Sequence, residues 1–136
     1  KLPGGKSPYL SNLFLNCLYG GQAFDSVLPA TLYFALMTVA PTAAGGGTEF
    51  TVSGISRASK TRNNTNFPAP TAALVSNATS LSFGTPVSGG TIVAIGVYDA
   101  SSGGNLLDWA DFDTPKIVTG GVAVTMAIGS LRRSTA

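Results

Sequence analysis

The sequence predicts a mainly β domain, an antiparallel β-sandwich or flattened barrel of about seven short strands with one N-terminal α-helix. Three observations predict it. Apolar residues recur at helical spacing only over residues 7–21. After Pro29 the chain breaks into short runs, alternating or wholly apolar, bounded by Gly, Pro, Asn and Asp. No segment repeats at a fixed period and no linker divides the chain, so residues 1–136 read as one domain, long enough to bury roughly two-thirds of its unfolded surface.

Ser7 is placed to cap the helix, and Pro8 fits its first turn, where a missing N–H costs nothing. Leu10, Leu13, Phe14, Cys17 and Leu18 form one apolar stripe, and Gly20-Gly21 supplies a left-handed stop, so the helix is expected over about 8–19. The stripe is expected to pack on the sheet of its own domain. A neighbouring subunit is the other target, because Tyr9, Leu15 and Tyr19 add apolar surface off the stripe. Thr31–Val39 (TLYFALMTV) is apolar on both faces and lies between Pro29 and Pro41, which predicts a central strand covered on both sides. PTAAGGGTEF then reads as a flexible loop with Gly45, Gly46 and Gly47 at its tip. Ile55–Thr61 alternates as a weak strand with one polar face. NNTNFPAPT blocks helix and ladder alike, giving a long ordered loop or edge pinned by Phe67. Leu81 and Phe83 mark a short strand. The clearest local signal is a hairpin with arms Thr91–Tyr98 and Asn105–Phe112 around turn residues Asp99–Gly104. Lys116–Thr119 and Val122–Ile128 are expected to pair around Gly120-Gly121, and the ends, 1–6 and 132–136, to be mobile.

Charge is scarce. Eight basic and six acidic residues make up 10% of the chain, where a soluble domain carries about 25%. Mean hydropathy is +0.30, yet no run reaches the ~20 apolar residues of a membrane span. So neutral a surface implies cover by other protein. The net charge of +2 is too small for a nucleic-acid binder, whose footprint is a dense basic face. Without histidine, Ser/His/Asp and Cys/His catalysis and most zinc sites are excluded. The lone Cys17 precludes an internal disulfide; it reads as a buried, inert thiol, with a reactive one as the alternative. The chain opens on Lys1, and KLPGGKSP lacks the apolar run of a secretion signal; either the initiator is skipped or a leading segment is missing.

Few residues could carry chemistry. Asp99, Asp108, Asp111 and Asp113 are the acidic cluster, but Asp108 and Asp111 fall on opposite faces of one strand, so solvated strand ends are expected rather than a calcium site or a glycosidase pair. Arg57, Lys60 and Arg62 read as a solvated strand or interface salt-bridge partners, not a phosphate site. Asn63-Asn64-Thr65 and Asn77-Ala78-Thr79 match the glycosylation triplet, which is common by chance. Tyr33, Tyr98 and Trp109 are core aromatics by default, with Tyr98 or Trp109 beside Asp108 as the alternative, a sugar-stacking platform. No catalytic, metal or cofactor site is expected.

PYLSNLFLNCLYGG, PATLYFALMTVAPTAAGGGTEF, SRASKTRNNTNFPAP, GTIVAIGVYDASSGGNLLDWADFDTPKIVTGG and VAVTMAIGSL, in that order, resemble small virion proteins of tailed bacteriophages commonly labelled tail fibre proteins. The resemblance covers about residues 8–131 and implies a non-enzymatic structural subunit of the tail, neck or collar, or fibre attachment, located in the virion. Capsid decoration and receptor or glycan binding at a fibre tip are its alternatives. It implies other virion proteins as partners and a homo-oligomer, without nucleic acid or membrane; a host receptor is the less favoured partner. Expected contacts lie in Lys1–Tyr9, Thr42–Phe50 and Arg62–Pro70, at Tyr9, Thr42, Gly45, Gly46, Gly47, Glu49, Phe50, Arg62, Asn63, Asn64, Asn66 and Phe67. The closing LRRSTA departs from an expected apolar strand.

Overall fold

Nine uninterrupted residues, Thr31–Val39, form β2, the strand around which the main sheet is laid. The structure, a computed structural model, describes residues 4–23 and 27–134. Among them are one helix, α1 (Pro8–Gly20), and nine further strands: β1 (Gly5–Lys6), β3 (Thr48–Glu49), β4 (Ala58–Thr61), β5 (Leu74–Ser76), β6 (Leu81–Gly84), β7 (Gly90–Tyr98), β8 (Leu106–Val118), β9 (Val124–Met126) and β10 (Arg132–Ser134). The main sheet runs β1-β8-β7-β2-β3, with β4 sharing the outer edge of β2 beside β3. Two strand pairs, β6-β9 and β5-β10, stand apart from it, and all pairings are antiparallel.

The core is the space between these layers. Phe34 and Leu36 of β2 and Ile95 and Val97 of β7 cluster with Leu81 and Phe83 of β6, while Val124 and Met126 of β9 pack against the group. This is a β-sandwich built from alternating inward residues. Ile92 and Ile95 both reach the core although they are three residues apart, because the ladder shifts register between Ile92 and Ala94. On the opposite face Ala35, Met37 and Ala94 form a second buried cluster. Phe34–Met37 is therefore covered on both sides, as its composition predicts.

Four expectations need correction. Lys116–Val118 does not pair with the segment after Gly120-Gly121. It extends β8, opposite Gly90–Ile92 of β7, and Phe112–Pro115 are accommodated as an irregularity facing Val93. Val124–Met126 pairs instead with Leu81–Gly84, which brings Val124 and Met126 to the core. The strand count rises from about seven to ten, because segments of two or three residues pair at the edges. The ends are also paired where described: Gly5–Lys6 on Trp109–Asp108, and Arg132–Ser134 on Ser76–Leu74. The remaining end residues, 1–3 and 135–136, lie outside the described residues.

Two features had no recognisable sequence signal. Ala72 and Ala73 turn the chain between Thr71 and Leu74 with φ of 51° and 61°, a conformation that ordinarily calls for Asn or Gly. Asn77 is buried and acts as a polar junction. Its Nδ2 donates to the carbonyls of Thr79 (2.9 Å) and Ala127 (3.1 Å), and its Oδ1 accepts from the Leu131 N–H (2.9 Å). Asn77→Ala removes all three bonds, leaves the buried Leu131 N–H unsatisfied and is expected to cost about 1–3 kcal/mol in chemical denaturation.

Candidate interaction surface

Helix α1 is built as the sequence prescribes. Ser7 Oγ accepts the Leu10 N–H at 3.1 Å, Pro8 opens the first turn, and Gly21 closes the helix in the left-handed region at φ 73°. The Ser7 N–H donates to the Leu107 carbonyl at 2.9 Å, so the helix start is fixed to β8, against which α1 lies. Only its N-terminal half is well seated. Leu10 is buried and Leu13 and Cys17 are half-buried, but Phe14 is 43% exposed, Leu15 55%, Leu18 72% and Tyr19 82%.

The expectation that the stripe packs on its own sheet is therefore corrected for its outer half. At 100° per residue, Leu10, Leu13 and Cys17 share the inward face, while Leu18, Leu15 and Tyr19 turn away from it as a ridge whose inner border is Phe14, one turn after Leu10. Tyr9, 39% exposed, lies off this ridge. No residue from Pro8 to Gly20 carries a charge. The result is an apolar ridge on an uncharged helix.

The few charges are drawn inward. Asp108 is buried in β8 and accepts from Lys6 Nζ (3.1 Å), Arg133 Nε (2.8 Å) and Arg133 Nη2 (3.0 Å). Lys6 Nζ also donates to the Ser134 carbonyl at 3.0 Å. This corrects the reading of Asp108 as a solvated strand end and of Arg133 as part of a mobile tail.

Arg57 is similarly internal. It grips Glu49 with Nε (3.0 Å) and Nη2 (2.8 Å), donates through Nη1 to the carbonyls of Ala100 (2.6 Å) and Gly103 (2.9 Å), and stacks 3.9 Å from the Tyr98 ring centroid. It is an intramolecular clamp joining β3 to the β7–β8 turn, not a solvated side chain.

A family model described as podophage GP4 fiber I protein gp80 matches residues 5–134. The chain belongs to this Gp80 family. It is a virion structural component of a tailed phage, as the resemblance implied. No curated protein matches the chain.

In this Gp80-family protein the expected contact residues divide into several groups. Thr42, Gly45, Gly46 and Gly47 lie in the β2–β3 connection, where a tight Thr42–Gly45 turn replaces the expected flexible loop. Glu49 is the Arg57 partner, and Phe50 is buried in the core, so neither offers a free side chain at the surface. Arg62, Asn63, Asn64 and Phe67 leave the opposite end of β2 and line an apolar cleft of about 550 Å³, whose other wall includes Leu10 and Phe14. Arg62 Nε donates to the Pro29 carbonyl. Phe67 pins its loop as expected, its ring centroid 6.0 Å from that of Phe34. Asn66 braces the same loop, donating to the Thr61 carbonyl (2.9 Å) and accepting from Thr79 Oγ1 (3.0 Å).

The alternative sugar platform is not formed. Trp109 is buried beneath β1, where even a Cβ on Gly5 would lie 3.0 Å from its ring, and Tyr98 is roofed by Arg57. Among the described residues there is no metal-ligating cluster. The exposed helix residues Phe14, Leu15, Leu18 and Tyr19 lie outside the expected contact set, although the sequence offers Leu15 and Tyr19 as surplus apolar surface to a neighbouring subunit.

Two predictions follow from the internal charges. Asp108→Asn removes the carboxylate between Lys6 and Arg133 and is expected to cost about 3 kcal/mol in urea denaturation, with Asp108→Asn/Arg133→Met recovering much of it. Burial pushes the Tyr98 phenol above its ordinary value; Glu49 adds to the rise and Arg57 opposes it. A raised value in the folded state gives stability that is complete below about pH 10 and fades as pH climbs through the folded value. Denaturation at about pH 8 and about pH 11 is expected to show this loss, and Tyr98→Phe to reduce it.

Proposed function

We propose that the protein is a structural subunit of the phage fibre apparatus that works through apolar protein–protein contacts rather than through chemistry. The observation that carries this reading is the uncharged ridge Phe14–Leu15–Leu18–Tyr19, held outward on a helix whose base is fixed to the sheet. Membership of a fibre family supports a non-enzymatic role. Charge depletion with retained aromatics is the composition of an interface core.

The sandwich supplies stiffness. The paired ends and the Arg57 clamp fix the sheet, so a contact made by the helix is transmitted to a rigid body. The exposed Thr42–Gly47 turn and the Asn63–Asn64 segment provide further contact points at the two ends of β2.

Apolar contacts are not screened by salt, whereas exposed ion pairs are. Purified particles are expected to retain this protein through washing in about 1 M NaCl, where the Debye length is about 3 Å. Quantitative blotting of washed particles reads the result. Loss of the protein under that wash contradicts the reading. Leu15→Glu/Leu18→Glu is expected to lower incorporation at least about tenfold, as removal of central interface anchors does.

A further inference from the structure

We propose that the cleft between β8 and the β5–β10 pair is a ligand site for a medium-chain fatty acid, with the carboxylate at Lys6 and Ser134 and the acyl chain along the sheet. The inference goes beyond the apolar-contact reading, which the outer face of α1 carries.

The floor of the cleft is one cross-strand row of the main sheet. Lys6 lies opposite Asp108, Asp108 opposite Val97 and Val97 opposite Phe34, so all four side chains leave the same face. Across the strands, the row passes from two ionised side chains at the β1 edge to two apolar ones on β7 and β2. The facing layer also sets a cation beside an apolar residue: Arg133 of β10 pairs with Val75 of β5, and Arg133 Nε reaches Asp108 at 2.8 Å. Leu10 of α1 and Phe67 wall the apolar part. The volume, about 550 Å³, is that of a small-molecule site. The cleft therefore has a hydrogen-bonding end and an apolar body.

The polar end holds two unused donors. Ser134 borders the cleft, and its Oγ is buried with no hydrogen-bond partner, where a buried hydroxyl ordinarily has one. Lys6 Nζ donates to Asp108 Oδ1 and to the Ser134 carbonyl, and an ammonium group has three N–H bonds, so one is left. A carboxylate accepts through two oxygens and donates nothing, which matches this pair of donors. Lys6 and Arg133 outnumber Asp108 here, so an anionic head is favoured over a cationic one.

The apolar body distinguishes a fatty acid from a peptide of the same terminal charge. Leu10, Leu32, Phe34, Phe67, Val75 and Val97 line it with hydrocarbon. A peptide would bring an N–H and a C=O with every residue, and burying such a group without a partner costs about 1–3 kcal/mol. An acyl chain has no polar atom beyond its head.

Isothermal titration of the purified full chain with octanoate tests the proposal. Saturable binding of one octanoate per chain is expected, with a Kd on the order of 100 µM. Octanol, which has the same chain but no charge, is expected to bind about tenfold more weakly. Ser134→Ala is expected to weaken octanoate binding severalfold with an unchanged thermal melt, because the hydroxyl it removes has no partner within the fold. Val75→Trp is expected to fill the cleft and abolish binding. Should that variant melt early, Ser134→Ala alone supplies the reading.

No saturable binding up to about 5 mM octanoate, octanol as tight as octanoate, Ser134→Ala binding as tight as wild type, or a folded Val75→Trp chain that still binds overturns the proposal. An N-acetylated leucine tripeptide that binds as tightly as octanoate overturns it as well and gives the cleft to a protein partner. None of these results alters the retention of the protein on salt-washed particles, which tests the apolar-contact reading separately.

Discussion

One buried carboxylate joins the two ends of the chain to its longest strand. Asp108 lies in β8, Lys6 arrives from β1 and Arg133 from β10, and all three meet within 3.1 Å. Both end strands are too short to persist by ladder bonds alone. Removing the carboxylate would leave cations at the edge of an apolar core, which costs more than the intact network contributes. The same network seats β1 over Trp109 and places Ser7 where its N–H reaches Leu107, so the angle at which α1 leaves the sheet follows from it.

The internal use of charge sharpens the compositional argument. A chain with fourteen ionisable Asp, Glu, Lys and Arg side chains places Lys6, Glu49, Arg57, Asp108 and Arg133 in ion pairs within the fold. The outer surface is poorer in charge than the composition alone suggests. Helix α1, with no ionised residue, is the extreme case. A domain stiffened by internal ion pairs and outwardly neutral suits repeated contacts that must survive changes in salt.

Local signals were legible wherever backbone chemistry decides. Ser7, Pro8 and Gly21 set the helix ends, the apolar run Thr31–Val39 gave β2, and Asp99–Gly104 turned the main hairpin. Pairing over long distances was not. Nothing near Val124 shows that its partner is Gly84, forty residues earlier, rather than the adjacent Lys116–Thr119 segment. Arg133 and Asp108 each look solvated in isolation; they become buried only because they meet. Ala72 and Ala73 carry a turn without turn residues, and Asn77 looks like a surface triplet until its three side-chain hydrogen bonds are seen. The ridge on α1 was visible as surplus apolar surface, but its exposure depends on how the sheet receives the helix.

The most direct measurement is hydroxyl-radical footprinting of Leu18 and Tyr19 in intact particles, set against the dilute isolated chain. Both side chains stand well into solvent on the single subunit. If neighbouring protein covers the helix, oxidation at these positions falls severalfold in the particle while exposed Val87 serves as the reference. Equal oxidation of Leu18 and Tyr19 in the particle and in the isolated chain would contradict the account.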